Sequence, residues 1–265
     1  MKLYILLIFT TIIVIIKSST SSSSSSSNEP ISYNGWELVF EDEFEGNTLN
    51  INNWNPIFQS YDYNAELEIY LPENIVVDNG YLNIMSKKEQ YQSHNYTSGK
   101  LTSSQRFNTT FGRIEVSAKL PIGKGYWPAI WMMPETDACW PLAGEIDIME
   151  SIGIDDLIYG TFHFSEKCGV NGQEGGNVTV PTFNQDFNLY SVIWDENQII
   201  WMVNNVQYFQ IKNSDIFPIP STIPFYIILN TAVGGDWGGY PDEQTVFPQN
   251  FTIDYVRAYK QESNI

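Results

Sequence analysis

From Trp36 to Lys260 the chain has no long stretch in which apolar residues recur every three to four positions, as an amphipathic helix requires. Short runs rich in β-branched and aromatic residues recur instead, many of them alternating apolar with polar. The pattern predicts strands at Trp36–Phe40, Ile75–Val77, Tyr81–Ser86, Arg113–Leu120, Trp127–Met133, Glu145–Ser151 and Leu157–Phe164. It predicts more at Tyr190–Trp194, Ile199–Val203, Val206–Ile211, Phe225–Thr231 and Thr252–Tyr259. Turn formers punctuate them: Asp78-Asn79-Gly80, Pro121-Ile122-Gly123 and Asn204-Asn205. The Asn pair lies between Trp-Met-Val and Val-Gln-Tyr, and because asparagine tolerates positive φ it predicts a two-residue hairpin. Many short strands with few helices predict one all-β domain, a β-sandwich. Residues 134–143 and 165–188, rich in Gly, Asn and acids, read as long loops able to shape a rim.

Ahead of this domain, Lys2 precedes an apolar run, Leu3–Ile16, broken only by Thr10 and Thr11. The run is shorter than the roughly 20 residues of a membrane-spanning helix and fits a secretory signal peptide. A retained membrane anchor is the alternative, which Lys17 leaves open. Ser18–Ser27 is serine apart from Thr20 and has nothing with which to build a core. The predicted organisation is therefore a signal peptide over 1–19, a Ser-rich disordered spacer over 20–29 and a sandwich domain over 30–262. A secreted, extracellular protein is expected.

Charge narrows the partners. Thirty-one acids face 13 Lys and Arg, a net charge of -18. The N-terminal segment contributes two of the lysines and no acid, so its removal deepens the imbalance. Such a polyanion repels nucleic acid, heparin-like chains and anionic membranes, and suits a neutral ligand. The two cysteines, Cys139 and Cys168, sit in no metal-binding spacing. In a secreted chain they read as one disulfide tying two loops together, the other reading being two buried thiols. Four glycosylation sequons, at Asn95, Asn108, Asn177 and Asn250, fit the same address and predict exposure at each asparagine.

Candidate chemistry concentrates in Gly144–Glu150, Gly-Glu-Ile-Asp-Ile-Met-Glu. Glu145 and Asp147 are two apart, so on a strand they share a face. Strict alternation would turn Glu150 away, but a β-bulge near Ile148–Met149 restores it to that face. A solvated strand face is the plain alternative. Against it, no Lys or Arg lies between Pro141 and Ile154, and aromatic residues arrive just upstream in Gly-Tyr-Trp-Pro-Ala-Ile-Trp-Met-Met-Pro, 125–134. Clustered carboxylates cannot all ionise freely, so at least one pKa should rise, as a general acid beside a carboxylate nucleophile requires. Acids together with indole faces suit a sugar. A groove across a bent sheet, open at both ends, favours attack within a polymer.

Three segments, Gly144–Glu150, Gly125–Pro134 and Leu229–Gly239 (Leu-Asn-Thr-Ala-Val-Gly-Gly-Asp-Trp-Gly-Gly), together resemble glycoside hydrolase family 16, in particular its endo-β-1,3-glucanases, or laminarinases. The likeness runs from Trp36 to Tyr259. It implies a concanavalin-like β-jelly-roll of two antiparallel sheets with a concave cleft, and hydrolysis of internal β-1,3 bonds of β-glucan with retention. Glu145 falls on the nucleophile, Glu150 on the acid/base and Asp147 on the assisting residue between them, with Glu150 expected to hold its proton more tightly than Glu145. Trp127 and Trp131 match sugar platforms, and His163 a histidine near the leaving-group side. Arg113 and Asn64 match donors to sugar hydroxyls, and Trp237 is a further contact. No catalytic cofactor is implied; a structural calcium ion would use Glu43, the Gly80 carbonyl and Asp254. The expected partner is the β-glucan, with the protein a monomer. The inserted Met149 favours laminarin-type glucan over the shorter Glu-x-Asp-x-Glu form of lichenases. Mixed-linkage hydrolysis, transglycosylation and a non-catalytic glucan-recognition role are the alternatives.

Overall fold

The computed structural model describes residues 32–60, 63–214 and 218–262. The signal peptide and spacer expected over 1–29 lie outside the described residues. Strands run β1 Trp36–Asp42, β2 Asn55–Pro56, β3 Glu68–Tyr70, β4 Ile75–Asp78, β5 Tyr81–Ser86, β6 Tyr96–Ser98, β7 Lys100–Thr102, β8 Gly112–Lys119 and β9 Tyr126–Pro134. They continue as β10 Glu145–Glu150, β11 Leu157–Phe164, β12 Gly172–Thr179, β13 Asn188–Trp194 and β14 Gln198–Val203. β15 Val206–Lys212, β16 Phe225–Val233 and β17 Gln249–Gln261 complete the set. Among the described residues the helical turns are short 3-10 segments.

Two antiparallel sheets form the sandwich. One has the order β15-β14-β13-β8-β17-β5-β4, with β1 also on β17; the other runs β12-β11-β10-β9-β16-β7-β2. A small parallel pair, β3 and β6, stands beside them. The alternation read from the sequence decides which side chains meet between the sheets. Ile114, Val116 and Ala118 of β8 point inward, as do Ile130 and Met132 of β9, Ile227 and Leu229 of β16, and Ile253 of β17. Trp194 and Trp201 close the same core. Burying each aliphatic side chain of this kind contributes about 1.5–3 kcal/mol. The Asn204-Asn205 turn has both residues at positive φ, and Val203 pairs with Val206 across it, as a two-residue hairpin requires.

Two expectations need correction. Residues 172–179, expected within a loop, form edge strand β12, paired along its whole length with β11. Its glycines answer to crowding: a Cβ on Gly175 would lie 2.9 Å from the Gly160 carbonyl, and one on Gly176 2.6 Å from the Phe209 ring. Arg113 does not reach the carboxylates. It sits on β8, in the other sheet, and alternates with core residues Ile114 and Val116, so it faces away from the first sheet's partner. There its Nε donates to Glu115 at 2.8 Å and its Nη2 to Asn205 at 2.6 Å. The expected calcium donors lie close together. Strand register does bring Glu43, Gly80 and Asp254 to one corner, since Asp42 pairs with Val256 and Leu82 with Ile253. Both Glu43 carboxylate oxygens, however, accept from Arg257, at 2.7 and 2.8 Å. A calcium ion takes six to eight oxygens, and at this corner the Glu43 carboxylate is already engaged by Arg257.

Candidate active site

Register across β10 shows how the acids come together. On the β11 side Glu145 pairs with His163, Asp147 with Thr161 and Glu150 with Tyr159. The partners step by two throughout, whereas β10 steps by two and then by three, which is the signature of one inserted residue. On the β9 side Asp147 pairs with Trp131 and Glu150 with Ala129, across the same shift. The insertion lets Ile148 and Met149 both bury into the core, at 1% and 0% exposure. Glu145, Asp147 and Glu150 therefore share the face turned away from the other sheet. Gly144, just ahead of the strand, sits at φ 88, a conformation open to glycine, and a Cβ there would meet Pro220 at 2.9 Å.

Each terminal carboxylate has its own indole donor. Trp140 Nε1 donates to Glu145 Oε2 at 2.8 Å, and Trp127 Nε1 to Glu150 Oε1 at 2.9 Å. His163 lies between: its Nε2 is 3.0 Å from Asp147 Oδ2 and 3.9 Å from Glu145 Oε1. Asn171 donates its amide nitrogen to Gln173, so its Oδ1 accepts from His163 Nδ1, 2.8 Å away. With Nδ1 thus protonated and Nε2 facing carboxylates, the network assigns His163 as an imidazolium.

Burial, then the Asp147 charge, push Glu145 up to about 8; His163 and the Trp140 hydrogen bond pull the other way. The same two causes, in the same order, raise Glu150 well above the ordinary carboxylate value. Burial opposes the charged form of His163, but the contact with Asp147 and its charge outweigh it and bring the group to about 9. Glu145 is the better stabilised of the two glutamates as an anion, because the cation lies at its end of the row. Donor atoms of Glu145, Asp147 and His163 lie within 4.8 Å of one another, a spacing a metal could bridge. Their existing partners make them a proton network instead.

Flanking side chains extend the site across the sheet. Toward β16 and β7, Trp131 Nε1 donates to Asn230 Oδ1 at 2.7 Å, and Asn230 Nδ2 to the Tyr70 hydroxyl at 3.1 Å. This fixes the Trp131 ring, over which Lys100 Nζ stands 5.3 Å from the centroid. Beneath, buried Glu68 accepts from the Val233 N–H at 2.7 Å; burial, then the Glu66 charge, push it up to about 8. Toward β11 and β12 a cavity of about 600 Å³ is lined by Glu150, Tyr159, His163 and Trp237, among others. Trp237 meets Trp127 and Tyr159 edge-on, with centroids 5.3 and 5.0 Å apart. Asn64 is at the rim: its carbonyl accepts from Asp236 N at 2.7 Å, while its amide turns to Glu66.

Of the residues named from sequence, Glu145, Asp147, Glu150, Trp127, Trp131, His163 and Trp237 come together here, with Asn64 at the margin. Trp140, Tyr159, Lys100 and Asn230 were missed. Trp140 had a signal, an aromatic beside Cys139 in the loop before the acids. The Cys139–Cys168 disulfide forms, with Cα atoms 5.4 Å apart, and Gly169 N donates to the Trp140 carbonyl at 2.8 Å. It ties the loop carrying Trp140 to the one carrying Asn171. All four sequon asparagines are exposed.

Comparison with known proteins agrees with this geometry. A family model, Glycosyl hydrolases family 16, matches residues 58–257. A beta-glucanase of Rhodothermus marinus is 38% identical over 250 residues, spanning 85% of this chain and 85% of that protein. The catalytic domain of an endo-1,3-beta-glucanase (laminarinase) from Thermotoga petrophila RKU-1 matches with a TM-score of 0.81 at 38% identity, covering 86% of this chain and 99% of that one. A mutant of SCLam, a non-specific endo-beta-1,3(4)-glucanase co-crystallised with a glucan oligosaccharide, matches with a TM-score of 0.80 at 34% identity, covering 88% and 98%. The fold, the bulged acidic strand and these likenesses together place the chain in glycosyl hydrolases family 16.

Proposed function

We propose that the protein is an endo-β-1,3-glucanase that cleaves β-glucan with retention, Glu145 acting as nucleophile and Glu150 as acid/base. One observation carries the assignment of roles: the bulge puts both glutamates on one face of β10, each oriented by a separate indole donor. In the first step the Glu145 carboxylate forms a bond to the anomeric carbon while Glu150 gives its proton to the departing glycosidic oxygen. Burial and the Asp147 charge keep that proton on Glu150 beforehand. In the second step Glu150, now anionic, takes a proton from water; the hydroxyl attacks the anomeric carbon and the bond to Glu145 breaks. His163 and Trp140 favour the anionic form of Glu145 that both steps need. The reaction thus runs on carboxylates and water.

Relatives named as endo-1,3-beta-glucosidases and laminarinases support β-1,3-glucan as substrate. The likeness to SCLam, a non-specific endo-beta-1,3(4)-glucanase, keeps mixed β-1,3-1,4-glucan as a second reading. A beta-1,3-glucan-binding protein is also related, but a binding role gives no reason to keep all three acids. Secretion and a monomeric state belong to the same proposal. Protein purified from a host that does not glycosylate it should release reducing sugar from laminarin, with oligosaccharides of several lengths appearing early, and be weaker on lichenan and inactive on carboxymethylcellulose. No reducing sugar from laminarin, or undiminished release by Glu145→Gln, would refute it.

A further inference from the structure

Asn177 occupies an unusual place for a sequon. It lies on edge strand β12 and pairs with Tyr159, itself the partner of Glu150. Side chains of directly paired residues share a face, so Asn177 stands on the groove side. It is exposed, and it lines the cavity that holds Glu150, Trp127 and Trp237. Glu145 is not among the residues lining that cavity. The acid/base serves the leaving oxygen, so a cavity opening on Glu150 alone of the two is the leaving-group end. Its floor is bare: Gly175 pairs with Thr161, between Gln173 opposite His163 and Asn177 opposite Tyr159. A sugar can lie on that glycine backbone between two amides. Asn95, Asn108 and Asn250 line no part of this cavity.

We propose that an N-linked glycan on Asn177 closes the leaving-group end of the groove and so restricts where along a glucan the enzyme cuts. This rests on the glucanase reading and on passage through a glycosylating secretory route. In the modification, the Asn177 amide nitrogen loses a proton and bonds to C1 of N-acetylglucosamine from a lipid-linked oligosaccharide pyrophosphate. The donor's C1–O bond breaks and the lipid pyrophosphate departs. A branched oligosaccharide rooted there fills the space that the reducing-end side of a long glucan would cross. The glycosylated enzyme then accepts short leaving segments and cuts near reducing ends; the unmodified enzyme cuts within the chain.

The test compares the full chain from a glycosylating eukaryotic host with Thr179→Ala, which destroys the sequon but keeps Asn177, and with Thr179→Ser, which keeps the sequon. Peptide mass mapping should show glycan on Asn177 in wild type and Thr179→Ser and none in Thr179→Ala. Thr179→Ala should lower the viscosity of a long β-1,3-glucan several-fold faster per reducing end released. All three should hydrolyse an aryl β-laminarioside, whose leaving group is small, at the same rate. An unmodified Asn177 in wild type, or equal viscosity loss with and without the glycan, overturns the proposal. Absence of aryl laminarioside hydrolysis in every form overturns the glucanase reading, and this inference with it.

Discussion

At Glu145 opposing influences meet within a few ångströms. Burial and Asp147 favour the protonated acid, while His163 and the Trp140 N–H favour the anion. Trp140→Phe keeps an aromatic ring and deletes the donor. Because a hydrogen bond to a charged group contributes about 1.5–3 kcal/mol, the substitution should lower kcat/KM on laminarin by about 10- to 100-fold. It should also move the acid limb of the pH profile upward, since Glu145 becomes harder to ionise; an unmoved limb would mean that Trp140 does not act through Glu145. The three acids were legible in the sequence because side-chain parity and one bulge suffice to aim them. Trp140 was not, because its direction comes from a loop whose path depends on a distant cysteine. Parity also explains Arg113: once Ile114 and Val116 are core, Arg113 must point outward on its own sheet.

Among the elements, the disulfide joins two loops that each supply the site, one with Trp140 and the other with Asn171. Its ends are 29 residues apart. A cross-link closing a loop of this size contributes about 3–4 kcal/mol in the chain-entropy account. Cys139→Ser with Cys168→Ser should lower the Tm accordingly and should reduce kcat/KM at least as far as Trp140→Phe. Calorimetry and laminarin kinetics check both, and full activity without the cross-link would show that the loops hold themselves. Strands that alternate over six or more residues were readable in advance, with Tyr81–Ser86 and Leu157–Phe164 matching end to end. The two- and three-residue strands β2, β3, β6 and β7 are too short to carry a period. β12 was hidden by its glycines, whose cause is the neighbour across the strand and not the local chain.

For the molecule as a whole, the buried acids and the net charge act in one direction. Glu145 and Glu68 are pushed up to about 8 from an ordinary 4.5, and His163 to about 9 from 6.5. A group whose pKa is raised by folding stabilises the protein below its unfolded value, and that contribution is lost as pH climbs to the folded value. The carboxyl contributions therefore fade between about pH 4.5 and 8, and that of His163 between about 6.5 and 9. Repulsion within a chain of charge -18 adds to the loss. Calorimetry should find Tm falling from about pH 5 to about pH 9, with salt restoring part of it at the alkaline end, and Glu68→Gln should flatten the slope. A Tm that rises over this range would contradict the burial of these groups.

The claim that Glu145 forms a covalent bond with the sugar can be tested at that atom. Incubation with an activated 2-deoxy-2-fluoro-β-laminarioside, followed by peptide mass analysis, should find the fluorosugar attached to Glu145. A label on Asp147 or Glu150, or turnover without a label and with the α-anomer released first, would contradict the account.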